Sequence, residues 1–435
     1  MERKQKILLV LVAVLCIAAI GFGVWYDYGR VAEIPGESAA TTAAPTEATT
    51  IPETTIPETT IPETTVPETT VPETTVPPET VAIPEKPEPF PEDNWKKNHL
   101  FAFDSAVYGI EDGARAAERP VLGSAYKRSQ IKTVTFLDTL EDAPETAWYV
   151  GIEGRETNVL AWVEPNGELY DLYIGAWGGI NGRDYSAYLF AGYENLEEVR
   201  FGGAFHTEWC GEFVRMFLGC EKLQSVDIEN LNSYNVVTME SMFEGCSSLT
   251  GVNAGALDNT HLIITSEMFK RCDSLTELDL SGWDTDKLYR TDEMFYGCKS
   301  LTKLDLSGLD TSEVVNMNAM FHSCKALEAL DLSGFDTGNV EYMWGVFAFC
   351  DSLKELDLSG WDTGNVVDMN SMFLKCSSLT GAAVSQLDTS SVYDIGYMFY
   401  ECPGVTVDDV QHFNVENVHY YQHFMDGNYW KHLFE

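Results

Sequence analysis

The chain has 435 residues and a formal net charge of −41 at pH 7. That balance excludes a nucleic-acid-binding surface, which needs a basic stripe, and argues against docking of the folded part on anionic lipid. The apolar fraction of 45% is ordinary for a chain that buries a core.

Residues 1–6 carry Arg3, Lys4 and Lys6, and residues 7–26 form an uncharged run of twenty. Such a run spans about 30 Å of hydrocarbon. Trp25, Tyr26 and Tyr28 lie at its far end, where interfacial aromatics belong, and the basic start predicts a cytoplasmic N-terminus and an outside C-terminal body. We expect one transmembrane helix acting as a signal anchor; cleavage as a signal peptide is the competing reading. Leu15 before Cys16 is too large for a lipoprotein signal.

Residues 27–92 read as a disordered stalk. The unit Ile/Val-Pro-Glu-Thr-Thr recurs from residue 51 to residue 75. Proline at every fifth residue removes ladder donors, and the evenly spaced glutamates repel one another. An extended, polyproline-rich spacer follows, about 120 Å long for about forty such residues at ~3.1 Å each. Its threonines are candidates for O-glycosylation.

Residues 93–187 read as a β-rich N-terminal cap. Residues 131–137 alternate at period two, and Asn166-Gly167 between two apolar runs is a hairpin signal. A repeat array needs an atypical end to cover its first apolar face. A separate sugar-binding domain, with Trp148, Trp162, Tyr170, Tyr173 and Trp177 lining its site, is the alternative.

Residues 188–427 are an array. Phe217, Phe243, Phe269, Phe295, Phe321, Phe347, Phe373 and Phe399 follow one another at 26-residue steps, each with a cysteine three residues on, from Cys220 to Cys402. A fixed period of this size means a solenoid. Residues 189–196 are an earlier copy with Tyr193 in the cysteine slot, and Phe424-Met425 is a closing copy with its pair reversed; residues 428–435 form a tail. In one repeat Leu301, Leu304 and Leu306 mark a strand, with Lys303, Asp305 and Ser307 pointing outward. Met317, Met320, Phe321 and Cys324, spaced i, i+3, i+4, i+7, predict a short helix capped by Asp310 and Thr311. The expected architecture is therefore an α/β leucine-rich-repeat solenoid of strand–turn–short helix units. The stacked cysteines read as core thiols, since parallel side-chain vectors suit a ladder of buried thiols better than disulfide geometry.

Two acidic ladders accompany the strands. Asp227, Asp279, Asp305, Asp331, Asp357 and Asp409 occupy the outward strand slot, beside a serine ladder running from Ser281 to Ser385. Each aspartate is expected to be solvated or bonded to a nearby serine or turn N–H; Ca²⁺ binding is the sharper alternative. Asp258, Asp284, Asp310, Asp336, Asp362 and Asp388 precede the predicted helices and read as caps. The variable outward slot holds Ser225, Gly251, Glu277, Lys303, Ala329, Glu355 and Gly381. The ligand-binding residues expected on this face are Glu277, Asp279, Lys303, Asp305, Asp331, Glu355 and Asp357, with no metal and no cofactor. His412, His419 and His423 cluster near the end; His419 and His423 have a zinc-compatible spacing, and capping is preferred. Neither a nucleophile elbow nor a phosphate loop occurs.

The run Cys-x-Ser-Leu-x-x-Leu-Asp-Leu-Ser-Gly-Trp-Asp-Thr, at residues 272–285 and 350–363, followed by Val-x-x-Met-x-x-Met-Phe, resembles the BspA-like leucine-rich-repeat surface proteins, the DUF285 or mycoplasma-lipoprotein-type repeat. The resemblance implies a bacterial cell-surface adhesion protein that binds protein or glycan ligands and is not an enzyme. The chain lacks a C-terminal sorting signal, so the expected localisation is single-pass in the cell membrane, attached through the N-terminal helix alone. A structural envelope protein that self-associates or pairs with a sibling is the alternative.

Overall fold

The computed structural model describes residues 82–86, 94–100, 113–150, 158–182, 186–426 and 430. The signal anchor expected at 7–26 and the stalk expected at 27–92 lie outside the described residues, except for 82–86. Among the described residues no helix is long and apolar enough to cross a membrane. The described end of the stalk is seated on the cap: Trp177 Nε1 donates to the Pro84 carbonyl at 2.8 Å, and Lys86 lies over the same ring.

The cap is built from β1 (Ile131–Leu137), β2 (Trp148–Tyr149), β3 (Leu160–Asn166) and β4 (Leu169–Gly175). Strands β3 and β4 form the antiparallel hairpin expected from Asn166-Gly167, and Gly167 takes the φ of +67° that the turn requires. Beyond β5 (Ile180–Asn181), strand β6 (Glu198–Arg200) already belongs to the first coil, and it pairs in parallel with β1. The sheet order β2-β3-β4-β1-β6 thus runs from the cap into the array. Trp162 and Trp177 are 2% and 8% exposed, so they are core residues and not a sugar platform.

Each coil of the array follows the 26-residue period, and one buried cluster runs from Leu100 to Trp430. The phenylalanines form a column. Neighbouring rings from Phe217 to Phe399 are 5.1–5.9 Å apart and within 11° of parallel. Both ends are closed by an edge-on ring, Phe136 of β1 against Phe190 at 83° and Phe424 against Phe399 at 76°. The edge-to-face arrangement is a favourable termination for a stacked column.

The cysteines form a second column. Cys350 Sγ donates to the Phe321 carbonyl of the coil before it at 3.0 Å, and the same contact recurs from Cys220 to Cys402. That carbonyl also accepts the Cys324 N–H, so the thiol satisfies its second lone pair. Burial pushes the Cys350 thiol up to about 12, which keeps it protonated and unreactive.

A third column is made of buried threonines. Thr311 Oγ1 donates to the Asp336 carbonyl and accepts the Asp336 N–H, both at 2.9 Å, clipping one coil to the next. Thr363 does the same to Asp388 at 2.8 Å.

The short helix of each repeat is absent. The apolar residues lie where expected, but they are carried by turns, so the unit is strand and turn. Around Phe321, alternate amides leave the coil: Met317, Ala319, Phe321 and Ser323 donate to Tyr342, Trp344, Val346 and Ala348 of the next coil at 2.6–3.0 Å. The intervening Met320, His322 and Cys324 close turns on residues three back at 3.0–3.2 Å. An α-helix would bind all these amides four residues back within the coil. Ala319 and Ser323 have φ of +52° and +62°, a conformation no α-helix contains, and residues two before and two after each aromatic repeat it along the array. The only helical turns among the described repeats are short 3₁₀ segments, Ala254–Ala256, Gly381–Val384 and Val407–Val410.

Ser371 distinguishes stacked turns from a helix, since it lies mid-way in the segment predicted as helical yet has φ of +57°. Ser371→Gly should stabilise the chain by about 0.5–1 kcal/mol, because glycine enters the left-handed region freely. In a helix the same change would cost about 0.5 kcal/mol. Urea midpoints of the two proteins separate the outcomes.

Candidate functional site

The expected ligand face is a shallow groove of about 920 Å³ running across the strand edge of the coils. It is formed by β8 (Glu277–Asp279), which follows β7 (Phe205–His206) in the chain, by β9 (Lys303–Asp305) and by β10 (Ala329–Leu330). Five of the seven expected residues line it: Glu277, Asp279, Lys303, Asp305 and Asp331. Asp357 is exposed one coil further on, and Glu355 of β11 (Glu355–Leu356) pairs through its backbone with Ala329.

Sequence fixes the aspartates locally. Asp305 Oδ1 accepts the Ser307 N–H at 3.0 Å and its hydroxyl at 2.7 Å. Asp279, Asp331 and Asp357 accept the N–H two residues on at 2.9–3.0 Å. These are Asx turns, which need an aspartate followed by a tight bend. Hydrogen bonds from Ser281 and Ser333 hold Asp279 and Asp331 below the usual carboxylate range, and the Ser359 N–H does so for Asp357. The ladder thus presents fixed negative charges at neutral pH. Lys303 lies 3.7 Å from Glu277, with both side chains mostly exposed, so that pair contributes little.

The floor was not foreseen. Leu278, Leu330 and Leu356 are 4–9% exposed, whereas Leu304 is only half-buried. Ala329 of the next coil lines the groove with it. The groove therefore has an apolar patch inside an acidic rim.

The second aspartate ladder also makes Asx turns. Asp310, Asp336, Asp362 and Asp388 accept the N–H two residues on at 2.8–3.0 Å, and they cap turns where helices were expected. His419 stacks on Tyr393 at 4.5 Å and His423 on Tyr397 at 4.9 Å, and neither is on a helix. Among the described residues no three His, Cys, Asp or Glu converge on an ion-sized site.

Sequence reasoning missed a second, turn-lined face. There Lys270, Tyr296, His322, Phe349 and Lys375 make a spine across five coils, with Tyr296 stacked on His322 at 4.4 Å and a lysine over each outer ring. Burial lowers His322 to about 4, so the ring is neutral in this apolar stack. On the same face Asp368 and Asp394 are bridged neighbours. Burial, with a smaller push from the Asp394 charge, raises Asp368 to about 6.

The family described as "Mycoplasma protein of unknown function, DUF285" matches residues 186–274, 264–356 and 343–429. These three matches together cover the array and more than half of the chain. No curated protein and no solved structure matches the chain.

Because the folded-state pKa of Asp368 is raised, its ionisation costs stability as pH rises from the unfolded value toward about 6. Asp368→Asn removes that cost and keeps the acceptor for the Asn370 N–H. It should raise stability by about 1–3 kcal/mol at pH 7.5 and change it little at pH 4. Urea unfolding of both proteins at the two pH values checks this, and an equal gain at both would contradict it.

Proposed function

This chain belongs to the DUF285 repeat family, and on that premise we propose that it is a cell-surface binding protein whose strand-face groove holds a cationic polypeptide segment. The observation that carries the reading is the groove itself, about 920 Å³, shallow, spanning four coils and combining a half-buried Leu304 with fixed carboxylates. A shallow trough over several coils fits an extended chain better than a small molecule, which prefers a concave pocket. The acidic rim favours lysine and arginine, whose aliphatic stems also suit the apolar floor. The parallel coils hold the charges on a rigid base, so little ordering is needed on binding.

The anchor at 7–26 and the stalk at 27–92 place the array away from the membrane on its outer side in this reading. Binding is the whole activity, with no catalytic step and no cofactor. Protein ligands are favoured over glycans at this groove because its rim is charged and lacks exposed aromatic faces.

Fluorescent eight-residue peptides of lysine and of glutamate, titrated against the chain, test the reading. The lysine peptide should bind at micromolar concentration and weaken with added salt, and the glutamate peptide should not bind. Asp305→Lys with Asp331→Lys should cost about tenfold or more, since each reversed surface charge is worth up to about 1 kcal/mol. Equal binding of the two peptides would contradict the proposal.

A further inference from the structure

The repeat supplies its own reference for what packing requires. In the coils that begin at Phe269, Phe295, Phe321 and Phe347, the strand is followed by Ser-Gly, then an apolar residue, then Asp-Thr. The coil beginning at Phe217 departs from this at nearly every outward position. Glu229-Asn230 replaces Ser-Gly, Asn232 replaces Asp, Ser233 replaces Thr, and Tyr234 stands where the later coils carry glycine, serine, threonine, aspartate or glutamate. The inward residues Val226, Ile228 and Leu231 keep the core pattern and are buried. Packing therefore does not demand the change.

The altered residues meet in one place. Glu229, Asn230, Asn232, Ser233 and Tyr234, with Asp258 from the next coil, line a polar hollow of about 430 Å³. The hollow is shallow and open on its outer side, so it would hold one small ring by a face and an edge rather than enclose it. The threonine clip is also broken here. Thr207 and Thr285 bond the coil ahead, but Ser233 between them is 1% exposed and its hydroxyl has no partner. A buried hydroxyl left unbonded is costly, and in a native site it calls for an explanation.

The chemistry is specific. Glu229 Oε1 accepts Asn253 Nδ2 at 2.6 Å and Asp258 Oδ1 accepts the Thr260 hydroxyl at 2.7 Å. Each carboxylate is thus held by one oxygen and keeps the other as an acceptor. Tyr234 is 50% exposed, and His261 braces it edge-on at 4.8 Å while its Nδ1 bonds the Tyr234 carbonyl at 2.8 Å. An exposed aromatic ring beside fixed carboxylates and amides suits a pyranose ring, which offers C–H groups on its face and hydroxyl donors at its edge. The net charge of −41 disfavours an anionic sugar. We propose that this hollow is a binding site for a neutral sugar residue, separate from the peptide groove.

The test is saturation-transfer NMR on the full chain, kept in a detergent without a sugar head group. The probes are the methyl glycosides of glucose, galactose and N-acetylglucosamine. At least one should receive transfer, and Tyr234→Ala and Glu229→Gln should each weaken it about tenfold while leaving the melting temperature unchanged. The groove variant Asp305→Lys should bind the sugar normally, which separates this proposal from the peptide reading. Absence of transfer to all three probes would overturn it, as would transfer that survives both substitutions. Calcium binding that is lost in Glu229→Gln, with no sugar binding, would overturn it in favour of a cation site.

Discussion

The main-chain bonds that leave one coil and enter the next set the spacing of everything else in the array. Phe321 shows how tightly they constrain a single residue. Its N–H donates to Val346 of the next coil, and its carbonyl accepts both the Cys324 N–H and the Cys350 thiol. Its ring stacks between Phe295 and Phe347. A residue tied this way on every side cannot shift along the chain without breaking several bonds at once. That is why the period holds at 26 from Phe217 to Phe399.

The same constraint explains the ends. A column of stacked rings and an open row of amides would otherwise face water. At the start, β1 offers a strand to β6 and Phe136 offers an edge-on ring. Arg128, 1% exposed, donates to the Tyr188 and Ala191 carbonyls and lies over Tyr193, the residue that replaces the first cysteine. At the far end Phe424 turns its edge to Phe399 and Trp430 packs against Phe424. Terminal repeats of a solenoid must differ from the middle for this reason.

Much of the array was legible because it repeats. The period, the buried phenylalanine, cysteine and leucine columns and the outward aspartates all follow from residue spacing. The helix was misread because stacked turns bury the same i, i+3, i+4, i+7 set that a helix buries. The counter-signal was there: Gly219, Gly245 and Gly297 fall inside the predicted helices, and each adopts a positive φ. The groove floor was not legible, since Leu304 looks like every other strand leucine in the sequence and only the fold shows it half-buried. The hollow beside Tyr234 was legible in principle, as a cluster of departures from the repeat, but only the fold brings Asp258 to it. A regular scaffold hides function in its consensus and reveals it where the consensus breaks.

Deletion of residues 294–319 tests the central claim most directly, because it removes one whole period and joins Glu293 to Met320 in the sequence frame of the array. Phe269 and Phe321 then become neighbours in the column. The shortened chain should unfold in a single cooperative transition close to that of the parent. Removing residues 294–317 instead leaves the later coils out of register by two residues and should abolish that transition. Equal stability of the two deletions would contradict an array held in register by bonds between coils.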